Sequence, residues 1–214
     1  MNSTLEYLIK KFNPLISRRG GTEIHQINRT IMAGILGELG FKEGAEIGVA
    51  EGYHAKILCD NCPGLKLHCI DIWEKYPGYN EYQHIKQIYK GALKLLKSHN
   101  TIFIKKFSMD AVKQFADNSL DFVYIDGAHD FKNVADDICE WSKKVKVGGI
   151  VFGHDYKRSS GRSRFKNDVK DVVDAYMYAH GIAPWFVLTN DIKDPHFGPD
   201  NPGWLFVRQD TDSI

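Results

Sequence analysis

Short apolar runs alternate with amphipathic helical patterns through most of the chain, and this rhythm constrains the fold more than any other feature of the sequence. Such alternation is typical of βαβ units, in which parallel strands share one sheet and helices cover its faces. We predict helices over 80–98, opened by Asn80 with Gln83 three residues on, over 130–144 and over 165–180. The predicted strands are 45–49, 66–71, 101–105, 121–126, 149–153, 184–189 and 203–208. The chain is therefore of the α/β class.

The rhythm breaks near the end of the chain. Strand 184–189 is followed by "NDIKDPHFGPDNP", which has too little apolar pattern for a crossover helix, so the last two strands are predicted to pair antiparallel. Before the alternation begins, residues 3–12 and 24–39 show helical patterns. We therefore divide the chain into an N-terminal helical preface, 1–43, and one domain with a single core, 44–214.

Bulk charge and hydropathy exclude several classes of partner. The 214 residues carry 28 basic and 27 acidic side chains, a formal charge of +1, so composition does not favour nucleic acid or a membrane surface as the main partner. No stretch approaches the roughly 20 apolar residues of a membrane helix, and the N-terminus mixes charges with its apolar positions, unlike a signal peptide. We expect a soluble protein of the cytoplasm.

The four cysteines, Cys59, Cys62, Cys69 and Cys139, are too few and too unevenly placed for a disulfide framework. The first two form a C-x-x-C motif and the third is nearby, which raises the question of a zinc site. No second ligand pair follows at matching spacing. We expect reduced thiols, because free cysteine usually behaves as a small buried hydrophobic side chain.

Acid and imidazole side chains follow two of the predicted strands. "FVYIDGAHD" ends its apolar run in Asp126, His129 and Asp130, and "GGIVFGHDY" ends in His154 and Asp155. Ligands of an open parallel sheet bind outside the carboxyl ends of its strands, and consecutive strands are often neighbours, so these side chains are expected to converge on one site. The alternative is structural: the two acids of the first segment would stabilise the start of the following helix.

A glycine turn follows the first strand. In "EIGVAEG", Glu46, Gly48 and Gly52 form an E-x-G-x-x-x-G pattern, in which the glycines let the backbone turn sharply or pass close to a ligand. The pattern alone is also compatible with a tight strand-to-helix turn that binds nothing. Asp71 ends the second strand, where an acid can bind both hydroxyls of a ribose. Together these features predict an adenosine-containing ligand.

The same turn narrows the class of cofactor. The dinucleotide fingerprint G-x-G-x-x-G is not present, and no glycine follows Gly48 two positions on to shorten the turn for a pyrophosphate. A sulfonium cofactor has no phosphate. A turn that carries Glu46 and Glu51 suits a cationic sulfur and an amino group better than an anion.

Four segments, "AEIGVAEG", "HCIDIW", "DFVYIDGAHDF" and "GGIVFGHDY", together resemble class I S-adenosylmethionine-dependent methyltransferases, in particular the small group related to sugar and natural-product O-methyltransferases. The resemblance covers residues 44–208, and the last two motifs are its most specific part. It implies a Rossmann-like, doubly wound, seven-stranded sheet of order 3-2-1-4-5-7-6 with the seventh strand antiparallel. That topology agrees with the broken rhythm near the end of the chain.

The resemblance also implies which residues contact the cofactor. The acid and glycines of the first turn would surround the methionine part of S-adenosylmethionine, the acid ending the second strand would bind its ribose, and the serine after the third strand would lie near its adenine. The cofactor-binding candidates are Glu46, Gly48, Glu51, Gly52, Asp71, Ser108 and Asp126.

A metal is implied in the same way. In related metal-dependent O-methyltransferases, an acid after strand four and an acid pair after strand five bind magnesium, and the matching positions are Asp126, His154 and Asp155. His154 departs from the pattern, because magnesium prefers oxygen ligands. Either this departure makes the site less selective for magnesium, with manganese as the alternative ion, or no metal binds and the imidazole is a base.

Methyl transfer to a hydroxyl requires removal of its proton. A metal at Asp126 and Asp155 would lower the pKa of the hydroxyl. The other route is general base catalysis by His154 or His129, since an imidazole pKa near roughly 6.5 suits neutral pH. We favour a metal site with His129 close by, and the catalytic candidates are His129, His154 and Asp126.

Two further segments border the expected site. The loop "KRSSGRSRFK", 157–166, is by default a solvated charged loop; alternatively, its Arg162 and Arg164 belong to a lid that attracts an anionic acceptor such as a phosphorylated or nucleotide-linked sugar. The segment "DIWEKYPGYNEYQH" supplies aromatic side chains that either stack on a sugar or on adenine or pack against helices. These are Trp73, Tyr76, Tyr79 and Tyr82.

The sequence therefore predicts a methyltransferase that uses S-adenosylmethionine to methylate a hydroxyl of a small molecule, with a saccharide as the leading acceptor. Two alternatives stay open. One is methylation of RNA or protein on the same fold, which the near-zero net charge disfavours and the basic loop favours. The other is a non-catalytic protein that binds an adenosine ligand. A homodimer is left open as the assembly.

Overall fold

The computed structural model describes residues 3–17, 19–75, 84–158, 167–212 and 214, and its centre is one mixed β-sheet with helices on both faces. The described helices are α1 (Ser3–Phe12), α2 (Arg29–Glu38), α3 (Tyr53–Asn61), α4 (Ile85–Leu95), α5 (Ser108–Ala111), α6 (Phe131–Ser142) and α7 (Val169–Ala179). The strands are β1 (Thr22–Ile24), β2 (Glu43–Ile47), β3 (Lys66–Asp71), β4 (Thr101–Lys105), β5 (Leu120–Ile125), β6 (Val145–Gly153), β7 (Phe186–Leu188) and β8 (Gly203–Val207).

The order of the strands confirms the predicted topology. They lie in the order β1-β7-β8-β6-β5-β2-β3-β4. Strands β2 to β6 pair in parallel, and β8 runs antiparallel to both β6 and β7. When β2 is counted as the first strand, the order is 3-2-1-4-5-7-6 with the seventh strand antiparallel. The fold is therefore the predicted Rossmann-like, doubly wound α/β sheet.

The sheet has one strand more than the seven predicted. Strand β1 pairs in parallel with β7 and places Thr22 opposite Phe186 at the edge of the sheet. Three residues are too few for a period-two pattern, so the helix predicted over 24–39 includes the last residue of this strand. In the structure that helix starts at Arg29, after Asn28, whose side chain accepts a backbone hydrogen bond of 2.8 Å as the N-cap. The preface is therefore part helix and part strand.

The later helices are shorter than predicted but lie where the sequence placed them. Helix α4 falls inside 80–98, and its predicted capping pair, Asn80 and Gln83, lies outside the described residues. Helix α7 ends just before Gly181, whose φ of 65° is left-handed, as expected of a helix-terminating glycine.

Two buried clusters of apolar side chains flank the sheet. Because successive residues of a strand point to opposite faces, β5 supplies Phe122 to one cluster and Val123 to the other. The first cluster includes side chains from α1, α2 and α3, and the second includes side chains from α6 and α7. Helix α1 of the preface thus packs in the same cluster as the sheet. The domain boundary between 43 and 44 stays a prediction.

The structure also bears on the predictions about the cysteines and about membrane-spanning helices. All four cysteines are free, as predicted, and burial raises the pKa of the Cys59 thiol to about 12 and that of Cys62 to about 11. These thiols are therefore protonated at neutral pH. In the part of the chain that the structure describes, no helix combines the length and the apolar character needed to cross a membrane.

Candidate functional site

The glycine turn after β2 lies directly against the end of β5. Gly48 has a φ of 88°, and a Cβ atom there would lie 2.0 Å from the carbonyl oxygen of Asp126. Only glycine permits this approach without moving one of the two strand ends. Gly52 also has a left-handed φ, 83°, and is the N-cap position of α3. The turn and the first acid of the second predicted motif are therefore neighbours.

Asp71 joins the glycine turn to the end of β3. Its Oδ2 accepts a hydrogen bond of 2.9 Å from the Ala50 N–H, and its Oδ1 accepts one of 2.9 Å from the Trp73 N–H. The Trp73 indole N–H donates to the Ala50 carbonyl at 3.0 Å, which closes the link. Burial raises the pKa of Asp71 above its usual value, although the backbone donors oppose this. Asp71 fixes the turn, and its contact with a ribose stays a prediction.

Glu46 lies beneath the turn. It is almost completely buried, with its Oε1 3.4 Å from His54 Nδ1 of α3, and burial raises the pKa of its carboxyl group. Tyr124 lies opposite Glu46 on the neighbouring strand β5. The His54 ring packs on the Tyr124 ring with 4.1 Å between centroids. The structure thus places Glu46 in a buried polar layer that supports the turn. Its predicted role beside the methionine part of the cofactor stays untested.

The acids and imidazoles after β5 and β6 converge. The Nδ1 atom of His154 lies 3.8 Å from Asp126 Oδ1 and 3.7 Å from Asp155 Oδ1. One ligand atom from each of these three residues can be chosen so that all lie within 4.8 Å of one another. His129 completes the group, with its Nε2 3.5 Å from Asp126 Oδ1 and 3.3 Å from Asp155 Oδ2. The expected convergence is therefore present, and the chemical roles stay predictions.

The remaining acid of the first motif has a structural role. Asp130 is the N-cap of α6, and its Oδ1 accepts a hydrogen bond of 3.3 Å from the Asn133 N–H. This is the helix-stabilising alternative considered for both acids, and it applies to Asp130. Asp126 instead lies with the imidazoles.

Arg29 and Asp200 also belong to the cluster, and neither was predicted to lie at the site. Arg29, the first residue of α2, donates from Nε to Asp200 Oδ2 at 2.6 Å and from Nη2 to Asp200 Oδ1 at 3.0 Å. His154 Nε2 lies 2.8 Å from Asp200 Oδ1. Asp200 belongs to the proline-containing connection between β7 and β8. Since β8 runs antiparallel, that connection returns to the carboxyl end of β6, and this inference was available from the sequence for Asp200 but not for Arg29.

The charges of the cluster shift one another's pKa values. Burial alone would lower the pKa of His154, but its carboxylate partners Asp155 and Asp200, helped by Asp126, outweigh it and raise the pKa to about 9. Burial would raise the pKa of each carboxyl group, yet the neighbouring imidazole holds the pKa of Asp155 and Asp200 below the usual range. The cluster is therefore charged at neutral pH, with opposite signs in contact.

The backbone at Asp155 is in a region that non-glycine residues seldom adopt. Its φ is 55°, and its Oδ1 accepts a hydrogen bond of 2.6 Å from the Asn201 side-chain amide. Such backbone strain persists only where surrounding contacts enforce it, and it concentrates at functional sites. Here it turns the carboxylate of Asp155 toward His129 and His154.

Ser108 lies at the start of α5, but its hydroxyl group is already engaged. It donates to Asp137 of α6 and accepts a hydrogen bond of 2.7 Å from the Trp141 indole N–H. Burial raises the pKa of Asp137 to about 7, against the lowering effect of this hydrogen bond. The predicted contact of Ser108 with adenine would therefore have to come from its backbone, and it stays a prediction.

The two segments predicted to border the site are only partly described. Residues 159–166, which include Arg162 and Arg164, lie outside the described residues, as do Tyr76, Tyr79 and Tyr82. Trp73 is described and buried, with its ring 4.8 Å from that of Tyr89. For Trp73 the packing alternative is therefore the one observed.

Cavities between the described residues differ in size and in position. A groove of about 560 Å³ runs along edge strand β4 and is lined by His68 and Phe115 among others, but by none of the predicted site residues. A cavity of about 10 Å³ lies against His154, Arg29 and Tyr124. That volume is about the room one water molecule requires, so this cavity is too small for an acceptor as it stands.

The topology, the acid-bearing glycine turn and the acid–imidazole cluster at adjacent strand ends define the class of S-adenosylmethionine-dependent methyltransferases. Residues 45–156, just over half of the chain, match a family model described as a methyltransferase domain. The chain belongs to this methyltransferase family, whose matched region contains both the turn and the cluster residues Asp126 to Asp155. No curated protein sequence matches the chain significantly.

Solved structures share the fold at low sequence identity. An O-methyltransferase from Bacillus cereus in complex with SAH is 16% identical with a TM-score of 0.62, and the match covers 97% of this chain and 92% of that one. The O-methyltransferase TomG from Streptomyces achromogenes, involved in tomaymycin synthesis and solved with SAM, is 13% identical with a TM-score of 0.60, covering 97% and 91%. An rRNA methylase from Streptococcus thermophilus is 13% identical with a TM-score of 0.58, covering 86% and 99%. At these identities the likeness is one of fold.

Proposed function

We propose that the protein transfers the methyl group of S-adenosylmethionine to a hydroxyl of a small molecule, with a saccharide as the acceptor class. The observation that carries the proposal is the convergence of Asp126, His129, His154 and Asp155 beside the glycine turn. The O-methyltransferases of similar fold named above support transfer to oxygen. Because methyl transfer is an in-line displacement, the chain's main task is to hold donor and acceptor together.

The donor would lie over the turn between β2 and α3. Gly48 and Gly52 leave the backbone bare there, and Asp71 sits at the end of β3 for the ribose hydroxyls. Glu46, Glu51 and Asp126 supply negative charge near the cationic end of the donor. The side chain of Ser108 is held by Asp137, so we assign the adenine contact to the backbone around it.

The cluster fits a divalent cation. Two carboxylates and one imidazole are the usual ligand types for such ions, and Asp126, His154 and Asp155 present them from two adjacent strand ends that the fold holds rigidly. A bound cation would lower the pKa of the acceptor hydroxyl. We therefore assign these three residues as the metal ligands, with manganese or magnesium as the ion.

His129 is the general base in this proposal. It is about one-third exposed, whereas His154 is 7% exposed, so His129 can reach an acceptor. The carboxylates of Asp126 and Asp155 lie within 3.5 Å of its Nε2 and would stabilise the imidazolium formed when it takes the proton. His154 is assigned to the metal through Nδ1 and donates from Nε2 to Asp200, so neither of its ring nitrogens is free to take the proton of the acceptor.

Methylation of RNA is the second candidate, and the fold shared with an rRNA methylase favours it. The formal charge of +1 counts against it, because RNA-binding surfaces carry excess positive charge. An anionic acceptor, a homodimer and a cytoplasmic location remain predictions from the sequence.

Calorimetric titration tests the cofactor assignment. S-adenosylmethionine and NAD are titrated separately into the purified protein with magnesium, with manganese and with chelator. Binding of the methyl donor alone is expected, whereas binding of NAD alone would overturn the proposal. Methyl transfer is then followed with labelled donor on nucleotide-linked sugars, phosphorylated sugars and structured RNA. Methylation of RNA alone would replace the small-molecule acceptor with the second candidate.

A further inference from the structure

We propose that Asp200 is a positioning residue that holds the Nε2 N–H of His154 and so turns its Nδ1 toward Asp126 and Asp155, where a bound metal ion would displace the Nδ1 proton. The resulting site of two carboxylates and one imidazole would select manganese or a similar transition-metal ion over magnesium. The inference rests on the metal ligands assigned in the proposed function. The sequence left the choice between magnesium and manganese open, and Asp200 was not among the predicted site residues.

The hydrogen bonds around His154 fix the orientation of its ring. Nε2 lies 2.8 Å from Asp200 Oδ1, a carboxylate oxygen that can only accept, so Nε2 donates. Arg29 Nη2 is 3.2 Å from the same nitrogen, but it donates to Asp200 Oδ1 at 3.0 Å. Both donors thus converge on one oxygen, which explains their closeness. Nδ1 is left facing Asp126 and Asp155 at 3.8 and 3.7 Å.

Asp200 is itself held on two sides. Arg29 contacts both of its carboxylate oxygens, and the guanidinium group lies 4.2 Å from the centre of the Phe197 ring. The side chains of Asp200 and Arg29 are 8% and 16% exposed. Such a clamp allows little rotation of the carboxylate. A histidine ligand whose other ring nitrogen donates to a carboxylate is the arrangement that orients metal-binding imidazoles in proteins.

The ligand set determines the class of ion. Magnesium takes oxygen ligands in a regular octahedron and gives up water reluctantly, so a site with a fixed imidazole nitrogen is poorly matched to it. Imidazole suits iron, nickel, copper and zinc, and carboxylate suits manganese, so a mixed site can hold any of these ions. Nitrogen at His154 therefore acts as a selectivity determinant, and Asp200 makes that nitrogen available.

The test measures metal binding directly on the full chain. Manganese affinity is determined by electron paramagnetic resonance and calorimetry, with magnesium as competitor, and coupling of manganese to a ligand nitrogen is read from the pulsed spectrum. Asp200→Asn keeps the shape of the side chain but removes its charge. We expect it to weaken manganese binding about 10- to 100-fold and to change the nitrogen coupling. Wild-type affinity and an unchanged spectrum would overturn the role of Asp200.

The chain offers a matched control in the same connection between β7 and β8. Asp191 Oδ2 lies 3.0 Å from His25 Nδ1 in an exposed acid–imidazole pair. Asp191→Asn should leave manganese binding and the nitrogen coupling unchanged. An equal loss in both variants would assign the effect to general destabilisation and would count against the proposal.

A second variant tests selectivity even if Asp200→Asn unfolds. His154→Asp replaces nitrogen with oxygen, so the ratio of manganese to magnesium affinity should fall at least about 10-fold. An unchanged ratio would overturn the selectivity. Donor binding is measured in the same samples. Manganese binding without binding of S-adenosylmethionine would defeat the proposed function alone, whereas donor binding without any divalent ion would defeat this inference alone.

Discussion

The two halves of the site are held together by different forces. On the donor side, Asp71 is fixed by hydrogen bonds from backbone N–H groups of Ala50 and Trp73, and no positively charged side chain takes part in those bonds. In the acceptor half, at the ends of β5 and β6, carboxylates and cations are in direct contact, as between Arg29 and Asp200. The backbone hydrogen bonds on the donor side come from the loops that follow β2 and β3. Ion pairs join segments far apart in the chain.

This difference has a consequence for mutation. Damage to the turn should affect backbone geometry and donor binding, whereas damage to the charged cluster should affect the acceptor chemistry and leave an uncompensated charge. Substitutions in each half, with matched controls, show whether the two halves separate in this way.

Replacing His129 should have the largest effect. His129→Gln removes the proposed base, and kcat should fall about 100- to 1,000-fold, equivalent to about 3–4 kcal/mol, with donor affinity unchanged. The measurement is steady-state kinetics on the acceptor found by the labelled-donor screen, with calorimetry for the donor. His25→Gln, at an exposed imidazole, is the control and should retain wild-type kcat. If His129→Gln lowered donor affinity by as large a factor as it lowered kcat, the two halves of the site would not be independent.

Replacing Gly48 should have the next largest effect, on the donor half. Gly48→Ala places a Cβ atom 2.0 Å from a carbonyl oxygen at a φ of 88°, so the turn must shift at a cost of about 3 kcal/mol in the free energy of unfolding. Donor affinity should fall with it, as measured by urea unfolding and calorimetry.

A second glycine provides the control for Gly48. Gly34 lies inside α2, and no neighbouring atom lies within 4 Å of the position that an added Cβ atom would take, so Gly34→Ala should stabilise the protein by about 0.5–1 kcal/mol. If both variants were equally stable, the close approach of the turn to the end of β5 would not be a requirement of the fold.

The fold and the donor half could largely be predicted from the sequence, because their information is local. Alternating patterns give the strands, and one seven-residue turn gives Glu46, Gly48 and Gly52. Strand β1 was not predicted, because three residues are too few to show the alternating pattern of a strand. Arg29 and Asp200 were not predicted for another reason. They are in contact only because α2 and the connection before β8 pack against the same strand ends. Patterns within a short stretch of sequence therefore cannot predict that these two residues are in contact.

The Arg29–Asp200 pair should show a moderate effect in a double-mutant cycle. Arg29→Met, Asp200→Asn and the double variant are compared by urea unfolding, and we expect a coupling free energy of about 2 kcal/mol because the pair is largely buried. The exposed pair Lys11–Glu38, with N–O distance 2.6 Å, should give less than about 1 kcal/mol in the same cycle. Similar values for both cycles would show that ion pairing does not hold the acceptor half.

The smallest expected effect concerns Asp137, the buried acid behind Ser108. Its folded-state pKa of about 7 exceeds its usual value of 3.8, so the folded chain keeps a proton that the unfolded chain loses. Wild-type stability is then fully present below pH 4 and declines as the pH rises through 7. Asp137→Asn has no such proton, and relative to wild type it should gain about 1 kcal/mol between pH 6 and pH 7, measured by urea unfolding.

Asp136 lies one residue earlier on α6, where it pairs with Lys132 at the surface, and Asp136→Asn is therefore the control that should keep the wild-type pH dependence. Parallel stability curves for wild type and Asp137→Asn would show that the buried carboxyl group is not protonated. If the gain is observed, the donor half is bounded by an uncharged carboxylic acid on one side and by backbone hydrogen bonds on the other. Because the Arg29–Asp200 pair is largely buried, added salt should weaken its coupling less than that of the exposed Lys11–Glu38 pair.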